Sequence, residues 1–230
     1  MDWQALIEWD RQCLLALNGS DSLFWDGVML AATSTWTWIP VAVLLLYVLL
    51  KNNTLREVLM IVLLIALVIT LADQFASTVC KPYFRRFRPT QDPELMYLVD
   101  VVNNYRGGRY GFISSHAANT FSVCVFLSLL FRRKSMSVTL LLWALLCSYS
   151  RIYLGVHYPG DIVCGAASGI LIGVAVYYLY VFLKKRWLPS RMPVSSKFTS
   201  TGYLVTDLYL VMSGMFLSFV YILIRGAFYA

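Results

Sequence analysis

The chain contains only two histidines, and both stand in segments rich in hydroxyl and charged side chains. One closes Ser114-Ser115-His116. The other lies in Ser150-Arg151-x5-His157-x3-Asp161. Upstream, Lys81-Pro82-Tyr83-Phe84-Arg85-Arg86-Phe87-Arg88-Pro89 begins with Lys81 and ends with Arg88-Pro89. Each segment alone has a plain reading: a polar residue at a helix end, or basic and aromatic side chains snorkelling at a membrane surface. Taken together, two imidazoles and the three cations Lys81, Arg88 and Arg151 have the composition expected of a phosphoryl-transfer site, provided the fold delivers them to one place.

The elements that must deliver them are membrane helices. Of 230 residues 59% are apolar and 13% charged, and the mean hydropathy of +0.67 excludes an ordinary soluble domain, a disordered chain, collagen and a coiled coil. Apolar runs at about 36–50, 57–79, 116–131, 137–153, 161–183 and 204–224 are each long enough, or nearly so, to cross a bilayer, which needs about 20 residues. The expectation is an all-α polytopic membrane protein with six transmembrane helices in a bundle. The fourth run is the weakest, being short and ending in Ser148, Tyr149, Ser150 and Arg151, polar groups that need water or a partner. Residues 1–35 are expected to form short interfacial helices ahead of a six-span unit over 36–230. Trp3, Leu6, Ile7, Leu14 and Leu17 lie near one face of the first, Asn18-Gly19 breaks it, and Ser22 is placed to cap the second. Asp2, Glu8 and Asp10 stand where a secretory signal would be basic, so no cleavable leader is read.

Alternate connections between six spans share a side. One set holds ten basic residues, from Lys51 and Arg56 through Arg132, Arg133 and Lys134 to Lys184, Lys185, Arg186, Arg191 and Lys197. The other holds nine, six of them crowded between positions 81 and 109. A functional basic cluster explains that crowding, which leaves the first set cytoplasmic and both termini outside. The net charge of +7 therefore belongs to topology and headgroups, and no nucleic-acid partner is expected. Cys13, Cys80, Cys124, Cys147 and Cys164 are scattered singly, without metal or redox spacing, and read as small buried hydrophobes. Arg106 and Arg109, in the polar segment 90–112, read as solvated loop arginines in preference to headgroup contacts. Asp73 reads as a helix-packing hydrogen-bond partner, and Asp207 as a headgroup-depth residue near a positive helix end. Gly165, Gly169 and Gly173 mark a close helix approach within the bundle.

Lys-x6-Arg-Pro at 81–89, Ser-x-His at 114–116 and Ser-Arg-x5-His-x3-Asp at 150–161 resemble, in order and spacing, the three motifs of the type 2 phosphatidic acid phosphatase superfamily. The resemblance runs from about residue 70 to 170 and implies an integral-membrane lipid phosphatase. His157 is then the nucleophile, Asp161 its hydrogen-bond partner, and His116 the acid that protonates the leaving group and afterwards activates water. Lys81, Arg88 and Arg151, with Ser114 and Ser115, would bind the phosphate. No metal or cofactor is implied. Ser115 stands where the family usually has glycine, and would be strained if that position needed a positive φ. The expected substrate is a lipid phosphomonoester or diphosphate of the undecaprenyl diphosphate, lipid A or phosphatidylglycerol phosphate type. The expected place is a bacterial inner membrane, with the site on its periplasmic or extracellular side. A phosphotransferase using the same intermediate and a non-catalytic membrane protein are the competing readings, and oligomeric state is left open.

Overall fold

A computed structural model describes residues 2–187 and 195–230. Arg191, counted above among the cytoplasmic basic residues, lies outside the described residues. The chain is 77% helical without strands among the described residues. Helices α1 (Trp3–Leu17) and α2 (Leu23–Thr33) precede α3 (Thr35–Asn52) and α4 (Leu55–Gln74). The axis of α4 runs on through a π-helical stretch, Phe75–Cys80, into α5 (Lys81–Phe84). After a loop come α6 (Ser115–Phe131), α7 (Lys134–Tyr153), α8 (Pro159–Trp187) and α9 (Val205–Tyr229).

Five helical segments are long and apolar enough to cross a membrane: Thr35–Asn52, Leu55–Phe84, Lys134–Tyr153, Pro159–Trp187 and Val205–Tyr229. All five coincide with expected spans, including the doubtful fourth run. The remaining expected span is α6, an apolar helix of 17 residues, so the count of six is not reached on length. At about 1.5 Å per residue it is roughly 25 Å long. It is the innermost helix of the bundle, packed by α8, α7 and α4, with Phe126, Leu127, Leu130 and Phe131 buried.

Glycine makes that packing possible. A Cβ at Gly165 or Gly173 would lie 2.5 Å from the carbonyl oxygens of Ser114 and Ser122, and one at Gly169 would overlap the carbonyl of Ala118. The small-residue stripe of α8 thus faces the backbone of α6 and draws the N-termini of both helices together. We expect Gly169→Ala to cost about 1–3 kcal/mol as overpacking, read as a lower thermal midpoint in detergent. Gly108→Ala, where nothing lies within 4 Å of the added methyl, is the unchanged control.

The other end of the bundle is pinned by polar contacts. Asp207 stands in the first turn of α9, at the positive helix end as expected, and is buried, accepting from Lys51 Nζ at 2.7 Å and Asn52 Nδ2 at 2.9 Å in an ion pair that joins α3 to α9. Glu57 of α4 pairs with Lys184 and accepts from Tyr180 of α8. Asp73 bonds Ser77 of its own helix, at 3.4 Å, instead of a neighbouring helix. Cys80, Cys124 and Cys147 are buried as expected, but Cys164 is exposed and Cys13 intermediate. Ser22 occupies the N-cap of α2 without a side-chain cap bond.

Candidate active site

The phosphate-binding candidates meet where the first turns of α6 and α8 lie side by side. Ser114 is the N-cap of α6; its buried hydroxyl accepts from the Ala117 amide at 3.4 Å, and its own amide donates to the Asp161 carbonyl at 3.1 Å. Pro159 opens α8, where a missing N–H costs nothing and a fixed φ favours the helix. Asp161 in that first turn is placed well against the positive helix end.

His157 precedes α8 and is fully buried. Its Nδ1 lies 3.3 Å from Asp161 Oδ2, which also accepts from the Tyr158 amide at 3.1 Å. With the proton on Nδ1, Nε2 carries the lone pair, and that Nε2 is buried with no hydrogen-bond partner. Burial first, then the charges of Arg88, Arg151 and Lys81, hold the imidazole pKa well below the ordinary histidine value. The ring is therefore neutral at neutral pH, as a nucleophile requires.

The cations arrive from three directions. The π stretch ahead of Lys81, a local widening often found at functional sites, sets its ammonium to donate to Ser115 Oγ at 3.0 Å and Ser77 Oγ at 3.3 Å. Ser115, which stands where the motif it resembles usually has glycine, is the first residue of α6 and is not among the positive-φ residues. The anticipated strain is absent, and its hydroxyl holds Lys81.

Arg85 adopts a left-handed conformation, φ 48° and ψ 29°, that ends α5. The chain beyond it is extended and pairs with the segment around Tyr110 through Gly111 N to Arg86 O at 2.9 Å and Arg88 N to Arg109 O at 3.1 Å. In that segment Arg86 and Arg88 reach buried partners, while Phe87 is half-buried against the Tyr110 ring. Arg88 is 9% exposed and donates from Nε to Tyr110 O at 3.2 Å and from Nη1 to Val156 O at 3.3 Å. Gly107, with φ +65°, lets the loop backbone pass so close that a Cβ there would sit 2.8 Å from Arg88 Nη1. Burial, then the like charge of Arg151, pushes the Arg88 pKa down from its usual value.

Arg151 at the end of α7 is 2% exposed. It donates to Thr33 Oγ1 at 2.6 Å and Tyr105 Oη at 2.9 Å, while its Nε has no partner. At the polar end of the doubtful fourth run, Ser148, Ser150 and Arg151 are therefore buried in the protein, while Tyr149 is exposed. His116 is exposed on α6, within electrostatic range of His157, Arg151, Arg88 and Lys81. Arg106 staples its own loop, donating to Thr90 O at 3.1 Å, and Arg109 lies over Phe87 and Tyr110, so both serve the loop.

Four contributors escape sequence reasoning: Thr33, Tyr105, Arg86 and Asp10. Arg86 donates to Asp161 Oδ1 at 2.9 Å and to Asp10 Oδ2 at 2.7 Å, with its guanidinium 3.9 Å from the centre of the Tyr158 ring. Burial alone would lower the Arg86 pKa, but Asp161 and Asp10 outweigh it and raise the value. Asp10 interrupts the apolar stripe Trp3, Leu6, Ile7, Leu14, Leu17 of α1, and a carboxylate in such a stripe was the available signal.

These buried imidazole and guanidinium groups, gathered at the ends of α6, α7 and α8, carry the charge and donors that a tetrahedral oxyanion needs. Comparisons with known proteins show the family. The family model of the PAP2 superfamily matches residues 61–185. A lipid A 4'-phosphatase of Bacteroides thetaiotaomicron is 44% identical over 194 residues, covering 84% of this chain and 85% of that protein. A lipid A 4'-phosphatase of Porphyromonas gingivalis is 38% identical over 188 residues, covering 82% and 80% respectively. No solved structure matches the chain. The protein therefore belongs to the PAP2 superfamily.

Proposed function

We propose that this lipid phosphatase removes the 4'-phosphate of lipid A through a phosphohistidine on His157. The observation that carries the chemistry is the buried, partnerless Nε2 of His157, backed by Asp161 and within the field of Lys81, Arg88 and Arg151. The similarity to two lipid A 4'-phosphatases along more than four-fifths of the chain favours lipid A over an undecaprenyl or glycerol lipid.

In this reading Nε2 attacks phosphorus in line with the sugar oxygen, the P–O bond breaks, and His116 protonates the departing alkoxide. Negative charge on the three non-bridging oxygens is met by the two guanidinium groups and the Lys81 ammonium. His116, now neutral, takes a proton from water, which attacks the phosphohistidine. The P–N bond breaks and inorganic phosphate leaves. Ser114, whose hydroxyl caps α6, acts by holding that helix end in place. Ser115 acts through Lys81. The three fixed cations supply electrostatics that a divalent ion supplies elsewhere.

The same reading places α1 and α2 at the membrane interface, with Trp3 72% and Trp9 60% exposed. All six apolar helices from α3 to α9, counting α4 with α5 as one, cross the bacterial inner membrane, and the site lies on the periplasmic side.

Purified protein in detergent, given diphosphoryl lipid A, should release free phosphate and leave a product phosphorylated only at position 1. It should do so undiminished in excess EDTA. Label passing from the lipid to an acceptor hydroxyl without free phosphate would make the protein a phosphotransferase. Turnover of undecaprenyl diphosphate with lipid A untouched would overturn the substrate, and loss in EDTA restored by a divalent ion would overturn the metal-free scheme.

A further inference from the structure

We propose that Arg86 and Asp10 are positioning residues for the reaction, with Arg86 fixing the Asp161 carboxylate against His157 and Asp10 fixing Arg86, so that α1 is a working part of the active site. The inference rests on the reading of His157 as nucleophile and goes beyond it in assigning a role to a helix outside the residues matched by the family model.

The geometry is specific. Asp161 has two carboxylate oxygens, and each is committed: Oδ2 to the His157 ring and the Tyr158 amide, Oδ1 to Arg86. A carboxylate held at only one oxygen can rotate about its terminal bond; one held at both cannot. Arg86 presents two Nη groups in a planar fork, one to Asp161 and one to Asp10, while its face lies over the Tyr158 ring. Asp10 in turn uses its second oxygen to accept from the Gly160 amide at 2.7 Å, an otherwise unpaired donor in the first turn of α8. The side chains of Asp161 and Asp10 are 0% and 9% exposed. With both Nη groups bound to carboxylates, Arg86 is directed away from the substrate anion, unlike Arg88, whose partners are neutral carbonyls.

The consequence is a chain of contacts from α1 to the nucleophile: Asp10, Arg86, Asp161, His157. Its function is to fix which ring nitrogen of His157 bears the proton and therefore which one faces phosphorus. Lysine at position 86 would keep a charge and one contact; glutamine would keep neither the charge nor the fork.

Because the chain has two histidines, 15N-imidazole NMR of the full-length protein in detergent reads His157 directly, with His116→Ala used to assign the signals. Wild type should show one tautomer with the proton on Nδ1. Arg86→Gln should show both tautomers, and Arg86→Lys should return most of the wild-type signal. With diphosphoryl lipid A as substrate, Arg86→Gln should lower kcat about 10–100-fold, the range for groups that orient a reactive residue, and Asp10→Asn should lower it less. Adding Arg86→Gln to Asp161→Asn should cause no further loss, since the two act through one another. Wild-type tautomer signals in Arg86→Gln, or losses that multiply in the double variant, would overturn the assignment. If wild type releases no phosphate from lipid A, the proposed substrate falls, while the NMR result still decides the role of Arg86.

Discussion

His157→Ala should abolish phosphate release, with a fall on the order of 10⁴–10⁶-fold, the scale seen when a covalent nucleophile is removed and the surrounding electrostatics remain. The protein should stay folded. The ring is buried and its Nε2 has no partner, so its loss leaves no hydrogen-bond donor or acceptor stranded on that side. Asp161 keeps the Arg86 and Tyr158 contacts. Lipid binding should survive, because Lys81, Arg88 and Arg151 are untouched. A melting curve within a few degrees of wild type, together with retained lipid A binding and absent turnover, is the expected combination. Turnover near the wild-type rate would remove His157 from the chemistry.

Arg88→Ala should be the next largest effect. Its guanidinium is buried and supported by two backbone carbonyls, so in the proposed reading it would meet the phosphate already oriented, without reorganisation at the moment charge develops. Removal of one such donor costs about 10²–10³-fold in kcat, or about 2.7–4 kcal/mol. Arg88→Lys should recover only part of this, because an ammonium cannot both bridge the Tyr110 and Val156 carbonyls and present a planar face to phosphate. Steady-state rates of the two variants, normalised to folded protein, check the order wild type, Lys, Ala. Equal rates for Lys and Ala would mean that charge alone contributes nothing there.

What could be read from the residues, and what could not, follows a physical division. The histidine motifs were legible because both stand at helix starts, where a short sequence pattern and local structure coincide: Ser114 caps α6, and Pro159 with Asp161 opens α8. The helix stripe Gly165, Gly169, Gly173 was legible for the same reason, since its four-residue period needs only one helix to be recognised. Arg86 was not. It sits among Arg85 and Arg88 in a run that looks uniformly like a surface anchor, and only the left-handed turn at Arg85 sets the register that sends Arg86 and Arg88 inward. Asp10 and Thr33 lie more than 70 positions from the groups they hold, and no local pattern reports such contacts. The ion pair of Asp207 was hidden for this reason too: its partner Lys51 is 156 residues away. The shortness of α6 became intelligible only with its place at the centre of the bundle.

The doubt raised by Ser115 resolves along similar lines. A glycine in that motif suggests a backbone requirement, but here the position is an ordinary first helical residue, and the hydroxyl gains a contact with Lys81. The substitution thus adds a positioning bond for the lysine that follows the π-helical stretch.

The central claim is a covalent phosphoryl group on one particular imidazole. Rapid quenching of the enzyme with lipid A labelled at the 4'-phosphate, followed by digestion and mapping, tests it most directly. The label should be acid-labile, stable to base, and confined to the peptide containing His157, and it should be absent from His157→Ala. Label on His116, on a serine or on an aspartate, or full turnover with no labelled protein at any time, would contradict it.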